Sequence, residues 1–276
     1  MAWWEQLVDL VLPVDCAGCG AARQAWCAEC ARELTGVRVL GRVRPSPCPP
    51  GLPAVYACAE YADAVRAALL AHKERGVLRL AGPLGEALAG AVRVALRAER
   101  FDEGAPAEPA HRHLGTSARG PSSGSAGREN GARGNGARGA APGSRESAVL
   151  LVPVPSSRRS VAARGHHPTL RLVRAAAARL RAVNTDVELL PALGLARRTT
   201  DQAGLTAEQR AANVRGAFAV RAAAEPLLRG RRVVLGDDLL TTGASLAEAA
   251  RAVRAVGGTV VGAAVVAAPR RSCASS

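Results

Sequence analysis

The sequence predicts an α/β protein built on a doubly wound, mainly parallel sheet, with a small separate unit at its N-terminus. Three observations carry the prediction. Aliphatic runs at 148–154 (AVLLVPV), 233–236 (VVLG) and 259–269 (TVVGAAVVAAP) read as strands, the first as a buried parallel strand ended by its prolines. Stretches with apolar residues every three to four positions alternate with them and read as helices. Ahead of both lies CAGCGAARQAWCAEC, residues 16–30, which follows neither period.

Composition sets the outer limits. The chain has 276 residues and is 48% hydrophobic, enough for a real core in one medium domain with an appendage or in two small ones. Lys and Arg together number 37 against 23 acids, for a formal charge of +14, and Lys73 is the single lysine. Arginine rises here together with alanine and glycine, so the charge is partly a compositional habit. It still draws phosphate-bearing partners, small metabolites as readily as DNA. No apolar run reaches the length of a membrane span. The start, MAWWEQLVDLVLPVDC, has acids among its apolar residues and no basic leader, and Asp15 does not suit a lipoprotein cleavage site. The expectation is a cytoplasmic protein, in which clustered thiols stay reduced and bind metal.

In chain order, residues 1–50 form an N-terminal helix and cysteine unit with a proline-rich exit, RPSPCPP. Trp3, Trp4, Leu7, Val8 and Val11 share one helical face. Covering the body of the protein is the favoured use of that face, with partner or membrane-surface docking as the alternative. Residues 51–102 and 148–276 form the main domain. Val65, Leu69 and His72 mark a first helix, and Leu80, Leu84, Leu88, Val92 and Leu96 a second. Residues 103–147, rich in Gly, Ser and Arg, read as a disordered insertion, because so few apolar residues cannot offset chain entropy. After the strand at 148–154, Leu170, Val173, Ala177 and Leu180 describe a helix. A short strand near VELLPALGL, a polar stretch over 196–220, a strand, a helix to about Val256 and a final strand complete the chain.

The stretch VVLGDDLLTTGAS, residues 233–245, holds the chemistry. In a doubly wound sheet, ligands bind beyond the carboxyl ends of the strands, where Asp237 and Asp238 fall. Ser245 and Glu248 match a capping box, which starts a helix near Ser245 with its amides and positive dipole end aimed at the turn. An anion suits that position; Thr241 and Thr242 add hydroxyl donors, and Gly243 lets backbone approach closely. Two carboxylates beside a phosphate repel it unless something stands between them. A sugar does so, giving its vicinal hydroxyls to the acids and its phosphate to the turn. The pattern lacks the Gly-Lys-Ser/Thr of a P-loop, and dinucleotide fingerprints carry no acids in the turn.

Cys16, Cys19, Cys27 and Cys30 form two C-x2-C pairs separated by seven residues. Two such knuckles give a tetrahedral thiolate site, for which zinc in a structural role is the expected occupant over a redox pair. Cys48, Cys58 and Cys273 have no C-x2-C partner.

The stretch at 233–245 resembles the phosphoribosyl pyrophosphate motif of type I phosphoribosyltransferases. With the cysteine ribbon, KERG at 73–76, VPVPSSRRSVAARG at 152–165 and RTTDQAGLTAEQRAANVRGAFAV at 198–220, the chain is similar to the ComF-like family. That resemblance implies a phosphoribosyltransferase-like fold with a zinc ribbon. It implies that Asp237 and Asp238 hold the ribose hydroxyls, and that Thr241, Thr242, Gly243, Ala244 and Ser245 hold the 5-phosphate. Arg158 and Arg159 fall in the expected pyrophosphate loop, where guanidinium forks suit phosphate oxygens; Arg164, Arg198 and Arg210 are further candidate contacts. The implied reaction displaces pyrophosphate, accompanied by Mg2+, from ribose C1 with a nitrogen nucleophile, and 198–216 is the expected closing loop. The family also brings in DNA uptake during competence, with a helicase or single-stranded DNA as partner. The competing expectation is a non-catalytic adaptor or ligand sensor using the ribbon and basic surface. Two departures stand out: Gly236 replaces an aliphatic residue, and His166 and His167 stand where relatives carry an aromatic followed by Asn and Gln.

Overall fold

The computed structural model describes residues 15–35, 41–104, 148–156, 167–196 and 207–270. Six strands form one sheet in the order β1-β2-β8-β7-β3-β4: β1 Gly41–Val43, β2 Val55–Glu60, β3 Val149–Pro153, β4 Val187–Leu189, β7 Arg232–Leu239 and β8 Thr259–Ala268. Every pairing is parallel except β1 with β2. The mainly parallel α/β architecture expected from the sequence is therefore present. A two-stranded antiparallel ribbon, β5 Leu193–Leu195 with β6 Phe218–Val220, stands apart from the main sheet.

Helices cover both faces. On one lie α1 Ala28–Thr35, α2 Asp63–Lys73, α3 Ala81–Gly104 and α4 Pro168–Ala182; α5 Ala207–Val214 and the short α6 Glu225–Leu228 precede β7, and α7 Ala244–Ala255 lies on the other face. The helical stripes fall where the apolar spacing puts them. Leu80, Leu84, Leu88, Val92 and Leu96 are all buried along α3, and Val65, Leu69 and His72 along α2. Each such leucine, withdrawn from water, stabilises the fold by about 1.5–3 kcal/mol. In α4, Val173, Ala177 and Leu180 are buried, whereas Leu170 is only partly covered.

The sheet sorts its residues by period two. Val233 and Leu235 of β7 join the cluster under α7, and Val234 joins the cluster under α3 and α4. On β3, Leu150 and Val152 divide from Val149 and Leu151 in the same way. The chain leaves β3 toward β4 on one side and leaves β7 toward β8 on the other. The carboxyl ends of β3 and β7 therefore flank the topological switch point, where such sheets bind ligands.

Three elements differ from the sequence expectation. The strand near VELLPALGL is two strands, because Pro191 interrupts it; β4 joins the sheet and β5 joins the ribbon. Phe218–Val220, inside the polar stretch, is the ribbon's second strand. Residues 55–60 (VYACAE) form a buried strand between β1 and β8; the run is rich in small residues and shows no alternation to reveal it. The cysteine unit is continuous with the body, since Leu34 of α1 lies in the α3 cluster and Cys58 of β2 donates to its carbonyl at 3.4 Å. The helix expected over residues 3–11 lies outside the described residues, as does residues 105–147 of the expected insertion; α3 runs on to Gly104.

Candidate functional site

Strand alternation aims the two acids apart. Gly236 and Asp238 continue the series begun by Val234 and face the α2–α4 side, and Asp237 continues that of Val233 and Leu235. Gly236 fits because a Cβ there would come within 2.6 Å of Val173 on α4. The departure noted in the sequence is thus a packing solution. Asp238 is buried, and its Oδ2 accepts a 2.6 Å bond from Nζ of Lys73, the last residue of α2. Asp237, partly exposed, accepts the backbone N–H of Asp238 through Oδ1 at 2.9 Å.

Their electrostatics diverge accordingly. Burial and the adjacent Asp238 charge push the Asp237 carboxyl well above the usual range, against the pull of Lys73. Burial works against ionising Asp238 too, but the charge and hydrogen bond of Lys73 outweigh it and hold that carboxyl below its ordinary value. The pair therefore offers one firmly ionised acceptor and one that readily carries a proton. Lys73 is the site residue that sequence reasoning leaves without a role; its signal is that every other basic residue of the Lys and Arg set is arginine.

The turn after β7 has the expected shape with a different cap. Gly243, not Ser245, is the N-cap of α7, at φ 75°, a left-handed conformation that favours glycine. Ser245 and Glu248 therefore form no capping box. Ser245 already lies within the first turn, and the buried Glu248 accepts the N–H of Phe218 at 3.3 Å and pairs with Arg251 at 2.7 Å. Thr242 Oγ1 accepts the N–H of Ala244 at 3.4 Å, and Thr241 is exposed. The first amides of a helix have no intrahelical partners, so those of Ala244 and Ser245 remain oriented toward the turn. The arrangement brings together Asp237, Asp238, Thr241, Thr242, Gly243, Ala244 and Ser245. Arg158, Arg159, Arg164, His166 and Arg198 lie outside the described residues, and Arg210 is placed only by its backbone in α5.

Beside the switch point opens a cavity of about 560 Å³ between the exit of β3 (Val154, Pro155), the start of α4 (His167, Thr169) and the ribbon (Leu195, Arg221). No residue of 233–245 lines it, whereas Pro153 to Ser156 of the 152–165 stretch do. His167 is the exposed N-cap of α4 and makes no side-chain cap bond, with Pro168 following at the first helical position.

The four cysteines converge. Their sulfurs all lie within 4.8 Å of one another, with Cys16 to Cys30 at 3.7 Å and Cys19 to Cys27 at 3.6 Å. Tetrahedral thiolates at a metal–sulfur distance of about 2.3 Å stand about 3.8 Å apart, so the set fits a metal such as zinc. Backbone amides of Cys27 and Cys30 donate to the sulfurs of Cys16 and Cys27. Burial disfavours the Cys16 thiolate, yet backbone amides, Cys19 first, bring it down to about 6. A Cβ on Gly18 would meet Sγ of Cys30 at 2.6 Å, so the knuckle admits only glycine there.

Residues 171–274 match the family model for the phosphoribosyl transferase domain, from within α4 to beyond β8. The matched residues hold β4 to β8 and the turn after β7. Two curated relatives are adenine phosphoribosyltransferases, from Mycobacterium avium (strain 104) and Mycolicibacterium paratuberculosis (strain ATCC BAA-968 / K-10). Each is 62% identical over 39 residues, which is 14% of this chain and 22% of the relative. The match thus spans about a fifth of the length of those relatives. Among the described residues, no helix is long and apolar enough to cross a membrane.

Proposed function

We propose that this chain is a ComF-like phosphoribosyltransferase that binds phosphoribosyl pyrophosphate or a ribose 5-phosphate at the turn after β7. One observation carries the reading: paired aspartates and an anion-ready helix start meet at the switch point of a phosphoribosyltransferase domain. In this reading Asp237 and Asp238 accept the ribose hydroxyls, and Thr241 to Ser245 hold the 5-phosphate. Attack by a nitrogen nucleophile at C1 releases pyrophosphate, which carries Mg2+ as part of the substrate. Positive charge grows on the ribose ring as the C1–O bond breaks, and in this reading the Asp238 carboxylate offsets that charge. In this reading Arg158 and Arg159 contact the pyrophosphate, Arg164, Arg198 and Arg210 add further contacts, and 198–216 is the closing loop. Because the curated match covers so little of the adenine enzymes, adenine is not carried over as acceptor.

The reading places the protein in the cytoplasm, with structural zinc on Cys16, Cys19, Cys27 and Cys30. It keeps 1–50, 51–102 with 148–276, and the 103–147 insertion as the parts of the chain, with the first part lending β1 to the sheet of the second. Its link to DNA uptake and to a helicase or single-stranded DNA rests on the family resemblance alone. The deciding experiment measures pyrophosphate release from phosphoribosyl pyrophosphate with Mg2+ by native protein and by Asp238→Ala. Release that depends on Asp238 is the expected result. Binding without turnover would make the chain a sensor, and salt-dependent DNA binding unaffected by loss of both acids would make it an adaptor.

A further inference from the structure

The one lysine of this chain stands on its acidic pair. Its ammonium is a compact charge on one oxygen of Asp238, and it leaves Oδ1 of that residue and the Asp237 carboxyl to other donors. A guanidinium at the same place would offer a planar fork able to span two carboxylate oxygens at once. In a chain otherwise supplied with arginine, that difference is chemical and not compositional.

Two adjacent carboxylates without a counter-ion are the usual ligands of Mg2+, Mn2+ or Ca2+. Here the position such an ion would take beside Asp238 is filled from α2, and Lys73 keeps about a third of its side-chain surface in solvent. An entering dication meets an ammonium at short range, whereas a hydroxyl, being neutral, meets no repulsion and finds an ionised acceptor. We propose that Lys73 sets the ligand class of this site: with its ammonium on Asp238, the aspartate pair receives the hydroxyl groups of a sugar and excludes a divalent cation. Lys73 is a positioning residue, acting through Asp238, and the sugar half of the inference rests on the ribose phosphate reading given above. Among the described residues the charges that act on Asp238 are Lys73 from α2 and Asp237 from β7, and the downward shift of its carboxyl agrees with the geometry.

The test uses the full-length, metal-loaded protein and two probes, MnCl2 followed by the paramagnetic signal of free Mn2+, and ribose 5-phosphate followed by calorimetry. Lys73→Met is expected to bind one Mn2+ more than the native protein, and adding Asp237→Asn is expected to abolish that extra ion. Its affinity for ribose 5-phosphate falls by about tenfold or more, the scale of one lost charge-assisted support. That affinity also falls more steeply than the native protein's as pH is lowered, because Asp238 without its cation takes up a proton more readily. Lys73→Arg, which keeps the charge and the fold, is expected to exclude Mn2+ like the native protein while binding ribose 5-phosphate more weakly. Equal Mn2+ uptake by native protein and Lys73→Met, or native-like sugar phosphate affinity and pH profile in both variants, overturns the inference. A native protein that binds no ribose 5-phosphate sinks the functional reading instead, and the Mn2+ comparison still decides whether Lys73 holds the cation position.

Discussion

At Asp237 and Asp238, function and stability pull in opposite directions. A carboxyl whose folded value is raised binds its proton more tightly in the native state, so the stability it confers is present below its unfolded value of about 3.9 and lost as pH rises toward the folded one. Asp237 therefore weakens the fold at neutral pH. Asp237→Asn is expected to melt at the same or a higher temperature than the native protein at pH 7 while losing ribose phosphate binding. Asp238, with its carboxyl lowered, has the opposite sign: its contribution is present above the unfolded value and lost as pH falls through the folded one. Asp238→Asn leaves Lys73 without this partner and is expected to cost about 1–2 kcal/mol, between the limits for exposed and buried pairs. Calorimetric melts of the two variants across pH check both signs. The acids themselves were legible in DDLLTTG, but not their asymmetry, which depends on a residue 165 positions away in sequence. Gly236 makes the same point. Its identity looked like a departure until Val173 was seen to fill the space, so Gly236→Val is expected to cost about 1–3 kcal/mol, and much of that loss should be absent in a Val173→Ala background.

Among elements, those with a long uniform period were legible, and those made by pairing were not. The apolar stripe of α3 and the aliphatic runs of β3, β7 and β8 read directly, because one face or both must be buried along many residues. β5 and β6 are three residues each, and β2 is a run of small residues without alternation, so local sequence carries little of their signal. The capping box failed for a related reason. Gly243 took the cap position, which freed Glu248 to reach across to the β5–β6 ribbon. That contact ties α7 to the ribbon between whose strands the 198–216 stretch lies in sequence. Arg251 donates to Glu248 and to the carbonyl of Phe218, and with burial opposing it, that pairing still holds the Glu248 carboxyl below its usual range. Its stabilisation is thus complete above about pH 4.3 and lost as pH falls through the lowered folded value. Glu248→Ala leaves the Phe218 N–H without its acceptor and is expected to cost about 1–3 kcal/mol. Hydrogen exchange is the sharper check: amides of residues 193–195 and 218–220 are expected to exchange faster, while those of β3 and β8 stay protected.

Over the whole molecule, the cysteine unit and the acidic pair are mechanically adjacent although they look separate in sequence. α1 begins inside the second knuckle, with Cys30 in its first turn, and Leu34 on the same helix enters the core under α3. Ala64, in the first turn of α2, closes the small cluster around Cys16, Cys27 and Cys30. The other end of α2 is Lys73 on Asp238. One helix of eleven residues therefore has the cysteine site at its start and the counter-ion of the candidate sugar site at its end. A bound metal would hold four thiols that otherwise repel or protonate, as the raised Cys30 thiol indicates, burial and the neighbouring sulfurs being its causes. Stripping the metal with a chelator is expected to lower the melting temperature and to speed hydrogen exchange in α1 and the first turns of α2. It is also expected to weaken ribose 5-phosphate binding several-fold without touching any residue of the β7 turn, and re-addition of zinc should restore all three. Unchanged sugar phosphate affinity in chelated protein that has lost protection in α1 and α2 would show that α2 does not transmit the state of the ribbon to Asp238.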